Sequence, residues 1–181
     1  IHERKKLAEH SFSMTLYHFL GLIKNGWNLE DLLFVLKSSY LSNRVDLGEV
    51  LIFESMCFAK NILKKEEAFL ALLGQAAVPE GLKKTVLELS QTSKDLSSAR
   101  GVREFIGTLL EFIQSLNFVK ADAQEEALLY DRQVREAVSS ILEKKRRHDE
   151  KKPVKHFSGA GLVQELQAAI EQFLEAWNRN P

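Results

Sequence analysis

Cysteine, proline and glycine are scarce in this chain. It has one cysteine, three prolines and nine glycines in 181 residues. The single Cys57 excludes an internal disulfide framework and a four-cysteine zinc or iron–sulfur site within the chain, and it favours a reducing compartment. The few prolines and glycines argue against a loop-rich or all-β protein, because turns depend on those residues.

Net charge and long apolar runs are missing as well. Lys and Arg number 25, as do Asp and Glu, so the formal net charge is +0 at pH 7. A neutral chain has no global electrostatic attraction to nucleic acid. No apolar run approaches the roughly 18 residues of a membrane span, and no signal peptide is visible. We therefore expect a cytoplasmic protein with no membrane partner.

What the chain does have is helical periodicity. Leu, Glu, Lys, Ala and Gln are abundant, and these residues favour helices. Apolar residues recur at spacings of three and four, as in Phe12, Leu16, Phe19, Leu20 and Ile23. No segment shows the alternation of a strand. The pattern predicts a single all-α domain over residues 1–181, an irregular multi-helix domain with about seven or eight helices.

Helix boundaries follow from local signals. Gly26 is expected to end the first helix and Asn28 to cap the second. Trp27 and Phe34 are expected in the core that joins the first helices. Residues 91–98 are polar and rich in serine, which predicts a loop or a frayed helix end. A flexible linker is predicted near residues 149–160, which contain a proline and two glycines.

No constellation of catalytic residues emerges from the sequence. The segment Gly101–Gly107 lacks the lysine of a phosphate-binding loop, and the histidines lack the spacing of a zinc site. Cys57 falls with Val50, Phe53 and Phe58 on the predicted inner side of a helix, which indicates a buried, inert thiol. Acidic pairs such as Glu30-Asp31 are expected on solvated faces. We expect no catalytic, cofactor-binding or metal-binding residue, and no autonomous catalysis.

One cluster of basic residues stands out on this neutral chain. The residues assigned to possible DNA-backbone contact are Lys144, Lys145, Arg146, Arg147, Lys151 and Lys152. Such a cluster can contact DNA phosphates without reading sequence. It can equally be a solvated helix end, where cations interact favourably with the helix dipole, and charge runs are more often of this kind. Both interpretations remain open.

The opening block of the sequence carries a family resemblance. The segments Arg4–Ser11, Trp27–Leu32 and Leu36–Leu41 resemble the B subunit of bacterial AddAB-type (RexAB-type) ATP-dependent helicase–nucleases. Residues 97–118, and especially Ala99 to Phe112, resemble a later helical segment of the same region. Ser11 departs from the family pattern, which favours proline there. The matching segments cover about a third of the chain and consist of structural motifs.

The resemblance implies a helical insertion comparable to subdomain 2B of superfamily 1 helicases. The parent would act in double-strand-break repair by recombination, with ATP, magnesium and an iron–sulfur cluster outside this segment. The implied partners are the remainder of its own subunit, the helicase–nuclease partner subunit and DNA. Because the chain begins without Met, we expect an internal segment of a larger protein. The alternative is a free-standing helical adaptor that binds another protein.

Overall fold

The computed structural model describes residues 12–75, 77–116, 125–149 and 159–179. This part of the chain contains eight helices and no strand, apart from one isolated bridge between Asn28 and Lys64. The predicted all-α fold is confirmed. The helices are α1 (Phe12–Lys24), α2 (Leu29–Leu36), α3 (Leu47–Ala59), α4 (Glu66–Leu73), α5 (Glu80–Ser98), α6 (Val102–Ser115), α7 (Glu125–Asp149) and α8 (Gly159–Arg179).

The turn between α1 and α2 forms as the sequence predicts. Gly26 has a φ of +73°, a left-handed conformation that glycine adopts without steric cost. The side chain of Asn28 then accepts a hydrogen bond from the Asp31 backbone N–H at 2.9 Å, which caps α2. The backbone N–H of Leu29 donates to the Leu63 carbonyl at 2.9 Å, so the chain before α4 is tied to this turn.

Helix α1 lies at the centre of the fold. It packs against α2, α5, α7 and α8. Its Phe19 ring stacks on Phe112 of α6 with 4.0 Å between centroids. Such aromatic pairs contribute about 0.5–1.5 kcal/mol beyond the burial of their apolar area. Among the described residues, the five largest fully buried side chains are those of Phe12, Phe19, Phe53, Phe69 and Phe105.

The close approach of α2 to α1 depends on a missing side chain. A Cβ atom placed on Gly21 of α1 would lie 2.7 Å from Oδ2 of Asp31 in α2. Real Cβ atoms do not approach oxygen so closely, and the carboxylate occupies the space that glycine leaves. Gly21 therefore sets the distance between the two helices.

Two expectations about aromatic side chains have different outcomes. Trp27 is buried, as predicted, and its indole Nε1–H points to the Ser93 hydroxyl at 3.5 Å. Phe34 is only partly buried, so its assignment to the core is wrong. Its ring stacks on His18 instead, at the edge of the α1–α2 contact.

The prediction of a loop or frayed end at residues 91–98 is also wrong. Helix α5 continues without a break to Ser98. The hydroxyls of Thr92 and Ser97 donate to backbone carbonyls four residues earlier, at 2.9 Å and 2.7 Å, so these polar residues are satisfied within the helix. Ser93 and Leu96 are buried, and tertiary contact overrides the weak local preference.

The residues at both ends of the predicted linker are helical. Asp149 belongs to α7, and Gly159 and Ala160 begin α8. Residues 150–158 lie outside the described residues. Within the described side chains of α7 and α8, the buried positions that join the core are Val138, Leu142, Leu162, Val163 and Leu166.

Candidate functional site

The basic cluster begins in the last turns of α7. Lys145 Nζ lies 2.5 Å from Glu165 Oε2 of α8. Arg146 Nη2 lies 2.8 Å from Glu143 Oε2, one turn earlier in the same helix. Lys144 and Arg147 have exposed side chains. Lys151 and Lys152 lie outside the described residues.

These contacts divide the predicted DNA-contacting residues into two kinds. Lys145 and Arg146 hold acidic partners within the chain, and Lys145 ties the end of α7 to α8. The Lys145 and Glu165 side chains are 28% and 65% exposed, and exposed pairs of this kind contribute about 0–1 kcal/mol. The positive charges of Lys145 and Arg146 are therefore partly neutralised. Of the members of the basic cluster that the structure describes, Lys144 and Arg147 have exposed side chains.

The position of the cluster at a helix end has its own electrostatic consequence. The last turn of α7 carries Arg146, Arg147 and His148. Cations there interact favourably with the partial negative charge of the helix C-terminus, by about 0.3–1 kcal/mol each in exposed settings. This is the solvated-end interpretation, and the geometry is compatible with it as well as with phosphate contact.

A second cluster, which we call the His18 cluster, consists of His18, Asn28, Asp31 and Phe34. His18 Nδ1 lies 2.7 Å from Asp31 Oδ1 across the α1–α2 contact. Asn28 Nδ2–H donates to Asp31 Oδ2 at 2.6 Å. The imidazole stacks on the Phe34 ring with 3.9 Å between centroids. The expectation that Glu30-Asp31 is a solvated pair therefore holds for Glu30, which is exposed, and is wrong for Asp31.

The environment of Asp31 shifts its ionisation. Burial opposes ionisation of the carboxyl, but the hydrogen bonds from His18 and Asn28 and the attraction to His18 outweigh it. The pKa of Asp31 therefore lies below its ordinary value. The carboxylate is held charged between two donors, which makes the cluster a polar tether between α1 and α2. The sequence indicated Asn28 only as a helix cap and Asp31 only as part of a solvated acidic pair, because no periodicity spans the turn that separates them from His18.

Arginine side chains provide two further anchors that periodicity does not reveal. The Arg135 guanidinium carbon of α7 lies 5.2 Å from the Phe12 ring centroid and 5.1 Å from that of Tyr40. Its Nη1–H donates to the Leu116 carbonyl at 2.6 Å. Arg44 Nη1 lies 2.9 Å from Glu88 Oε2. Cation–π contacts and hydrogen bonds from one side chain suit arginine, whose planar group presents several donors.

Cys57 is a buried thiol, as predicted. Desolvation by burial and the nearby charge of Glu54 raise the pKa of the Cys57 thiol to about 11. Such a thiol is a poor nucleophile at neutral pH. Its neighbour Phe58 does not face inward as expected; it is 60% exposed. A helix that buries Val50, Phe53 and Cys57 turns position 58 outward.

Other kinds of site find no support in the described part of the chain. Among those residues, no group of three or more His, Cys, Asp or Glu side chains is placed to hold a metal ion. A cavity of about 10 Å³ between α1, α6, α7 and α8 is lined by apolar side chains such as Leu16, Leu109 and Leu142. That volume is near the minimum for one water molecule. No helix of the described residues is long and apolar enough to span a bilayer.

Comparison with known proteins adds no relative. No family model, curated protein or solved structure matches the chain.

Proposed function

We propose that this chain is a structural, DNA-handling helical subdomain of a cytoplasmic ATP-dependent helicase–nuclease subunit that acts in double-strand-break repair. The proposal rests on the resemblance of its opening block to the AddAB-type B subunit. Its partners are then the remainder of the subunit, the partner motor subunit and DNA. ATP, magnesium and the iron–sulfur cluster belong to the rest of that assembly, and the segment itself is not catalytic.

The observation that carries DNA contact is the pair of exposed cations at the end of α7. Lys144 and Arg147 sit beside Lys145, which is held on α8 by Glu165. The end of α7 thus presents positive charge at one place on a chain whose net charge is +0. Contact with phosphates from such a site adds affinity that does not depend on base sequence.

The test is DNA binding by the 181-residue chain with these charges reversed. Lys144→Glu/Arg147→Glu is expected to weaken binding to a blunt-ended duplex, measured by fluorescence anisotropy at low salt. Lys84→Glu/Arg132→Glu is the matched control, because both side chains are exposed and the net charge change is the same. Equal affinities for the two double variants would contradict the proposal, since only the total charge would then matter.

A second candidate function is a helical protein–protein adaptor. The specific observation in its favour is the set of large apolar side chains exposed on α3, which include Leu51 and Phe58. Exposed apolar patches often mark interaction sites. A chain that shows no DNA binding at low salt but binds another protein through this face would support the adaptor and exclude the DNA-handling role.

A further inference from the structure

Helix α3 is apolar on two opposite sides. Val50, Phe53 and Cys57 face the core and are fully buried. The outer side also carries large apolar residues, and these are Leu47, 56% exposed, Leu51, 48%, Ile52, 51%, and Phe58, 60%. A surface helix ordinarily has a polar outer side. We call this outer surface the α3 face.

The α3 face has a regular arrangement of large and small residues. Leu47, Leu51 and Phe58 fall along one side of the face, because positions four and eleven apart lie close together around a helix of 3.6 residues per turn. Gly48, Ile52 and Ala59 fall along its other side, and Ser55 lies near the middle. The face therefore has a ridge of large side chains beside a strip in which Ile52 is the one large residue.

We propose that the α3 face pairs with the α3 face of a second copy of this chain, with the two helices antiparallel. A two-fold axis passes between the levels of residues 52 and 53. Each residue of one copy then lies opposite the residue of the other copy that is equally far from the axis along the chain, on the other side of it. Leu47 of one copy then meets Phe58 of the other at both ends. Near the axis, Leu51 lies beside the small Ser55 of the second copy. The same patch is used by both copies, as a two-fold interface requires.

The charges at the two ends of α3 favour the antiparallel orientation of two copies. The N-terminal end of α3 carries Asp46, whose carboxylate caps the helix by accepting from the Gly48 N–H at 2.7 Å. The C-terminal end is followed by the exposed Lys60, Lys64 and Lys65. Antiparallel pairing brings the acidic end of each helix beside the basic end of the other and aligns the helix dipoles favourably. Parallel pairing would place like charges together.

Polar groups on the face do not oppose burial. The Ser55 hydroxyl donates to the Leu51 carbonyl at 2.9 Å, so its hydrogen bond is satisfied without water. Lys37 Nζ and Glu54 Oε2 are already paired at 2.7 Å on the inner α2–α3 side. A helix of 13 residues is about 20 Å long, which is short for an interface that buries about 800 Å² per partner. The dimer is therefore weak and reversible.

This self-association is independent of the proposed contact with DNA. The α3 face lies on a different helix from Lys144 and Arg147, and no step of the argument uses the family resemblance. Failure of either proposal leaves the other standing.

Sedimentation equilibrium of the 181-residue chain tests the dimer. The chain is expected to change from monomer to dimer as its concentration rises. Leu51→Asp/Phe58→Asp is expected to stay monomeric over the same range, with an unchanged helical circular dichroism spectrum, because both side chains are exposed. Leu87→Asp is the control, since Leu87 is a 54% exposed leucine on α5. A chain that stays monomeric at its solubility limit, or equal effects of the α3 and α5 variants, would overturn the proposal.

Cross-linking tests the antiparallel arrangement. Ser55→Cys places one thiol from each copy on either side of the axis, whereas the native Cys57 is buried. A short bismaleimide cross-linker is expected to give a covalent dimer of Ser55→Cys and almost none of Ser98→Cys, whose position is exposed on α5. Lys60→Glu is expected to weaken the dimer. Equal cross-linking at positions 55 and 98 would overturn the proposed geometry.

Discussion

Single side chains in this protein act mainly as ties between helices. His18 and Asp31 join α1 to α2, and Arg135 joins α7 to the rings of Phe12 and Tyr40. The first tie depends on the ionised carboxylate of Asp31, and the second depends on the packing of the Arg135 guanidinium on two rings. At the residue scale, pH and truncation are therefore the informative perturbations.

The lowered pKa of Asp31 predicts that the stability of the chain depends on pH. Because the pKa of Asp31 is lower in the folded chain than its ordinary value, the ionised carboxylate favours folding. This contribution is complete above the unfolded pKa and is lost as pH falls through the lower folded pKa. Urea unfolding at pH 7 and pH 3 is expected to show a smaller loss of free energy for Asp31→Asn than for the unsubstituted chain. The same loss in both proteins would mean that Asp31 is not tethered.

Truncation of two phenylalanines compares the stability contribution of a core residue with that of a residue at the edge of the core. Phe69 is fully buried, and Phe69→Ala is expected to lower the free energy of unfolding by about 3–5 kcal/mol. Phe34 is partly buried against His18, so Phe34→Ala is expected to cost clearly less. Denaturant melts of the two variants at one pH provide the comparison. A Phe34→Ala cost as large as that of Phe69→Ala would place Phe34 in the core after all.

At the element scale, the helices are held at distances set by small residues and by buried polar ones. Gly21 lets α2 approach α1, and Ser93 lies under Trp27 where α5 crosses the first helices. Both residues have a low helix preference and yet lie inside a helix. Gly21 leaves space for the Asp31 carboxylate, and Ser93 provides a hydroxyl near the Trp27 indole. Local preference and tertiary packing disagree there, and packing prevails.

Two glycines inside helices test this view. Gly21→Ala is expected to destabilise by about 1–3 kcal/mol, because the new Cβ meets the Asp31 carboxylate and the gain in helix propensity is smaller. Gly107→Ala in α6 is the matched control. A Cβ at Gly107 has no heavy atom within 4 Å, so the gain in helix propensity is expected to stabilise the folded chain. Thermal melts of both variants should shift in opposite directions; a shared upward shift would contradict the close α1–α2 approach.

The second half of α5 provides a further test. Leu96 is fully buried, so Leu96→Ala is expected to lower the free energy of unfolding by about 2–5 kcal/mol. Ser98→Ala, at an exposed position in the same turn, is expected to have little effect. Urea denaturation of both variants gives the values. If Leu96→Ala were as mild as Ser98→Ala, residues 91–98 would be the frayed end that their composition first indicated.

The sequence predicted the fold class and several boundaries because those depend on periodicity and caps. Gly26 and Asn28 were placed correctly for this reason. Residues 91–98 were not, because their helix depends on burial of Ser93 and Leu96 by distant elements. Phe58 was assigned inward because apolar character alone does not distinguish a core residue from an exposed one. The His18 cluster was missed because its members meet only after α1 and α2 pack.

At the scale of the whole molecule, both proposals rest on surface features, and the interior of the described residues is a packed apolar core. Two surfaces of the described residues are involved. One is the end of α7, where Lys144 and Arg147 are exposed beside a helix C-terminus. The other is the α3 face. They lie on different helices, so one surface is available for DNA and the other for a second copy.

The salt dependence of DNA binding tests the central claim most directly. Each phosphate contact adds about −0.9 to the slope of log K against log salt concentration on duplex DNA. Lys144→Gln/Arg147→Gln is therefore expected to make the slope of the 181-residue chain shallower by about two, measured by anisotropy across a salt series. The control Lys84→Gln/Arg132→Gln is expected to keep the original slope. An unchanged slope in the α7-end variant would contradict the account and leave this cluster as a solvated helix end.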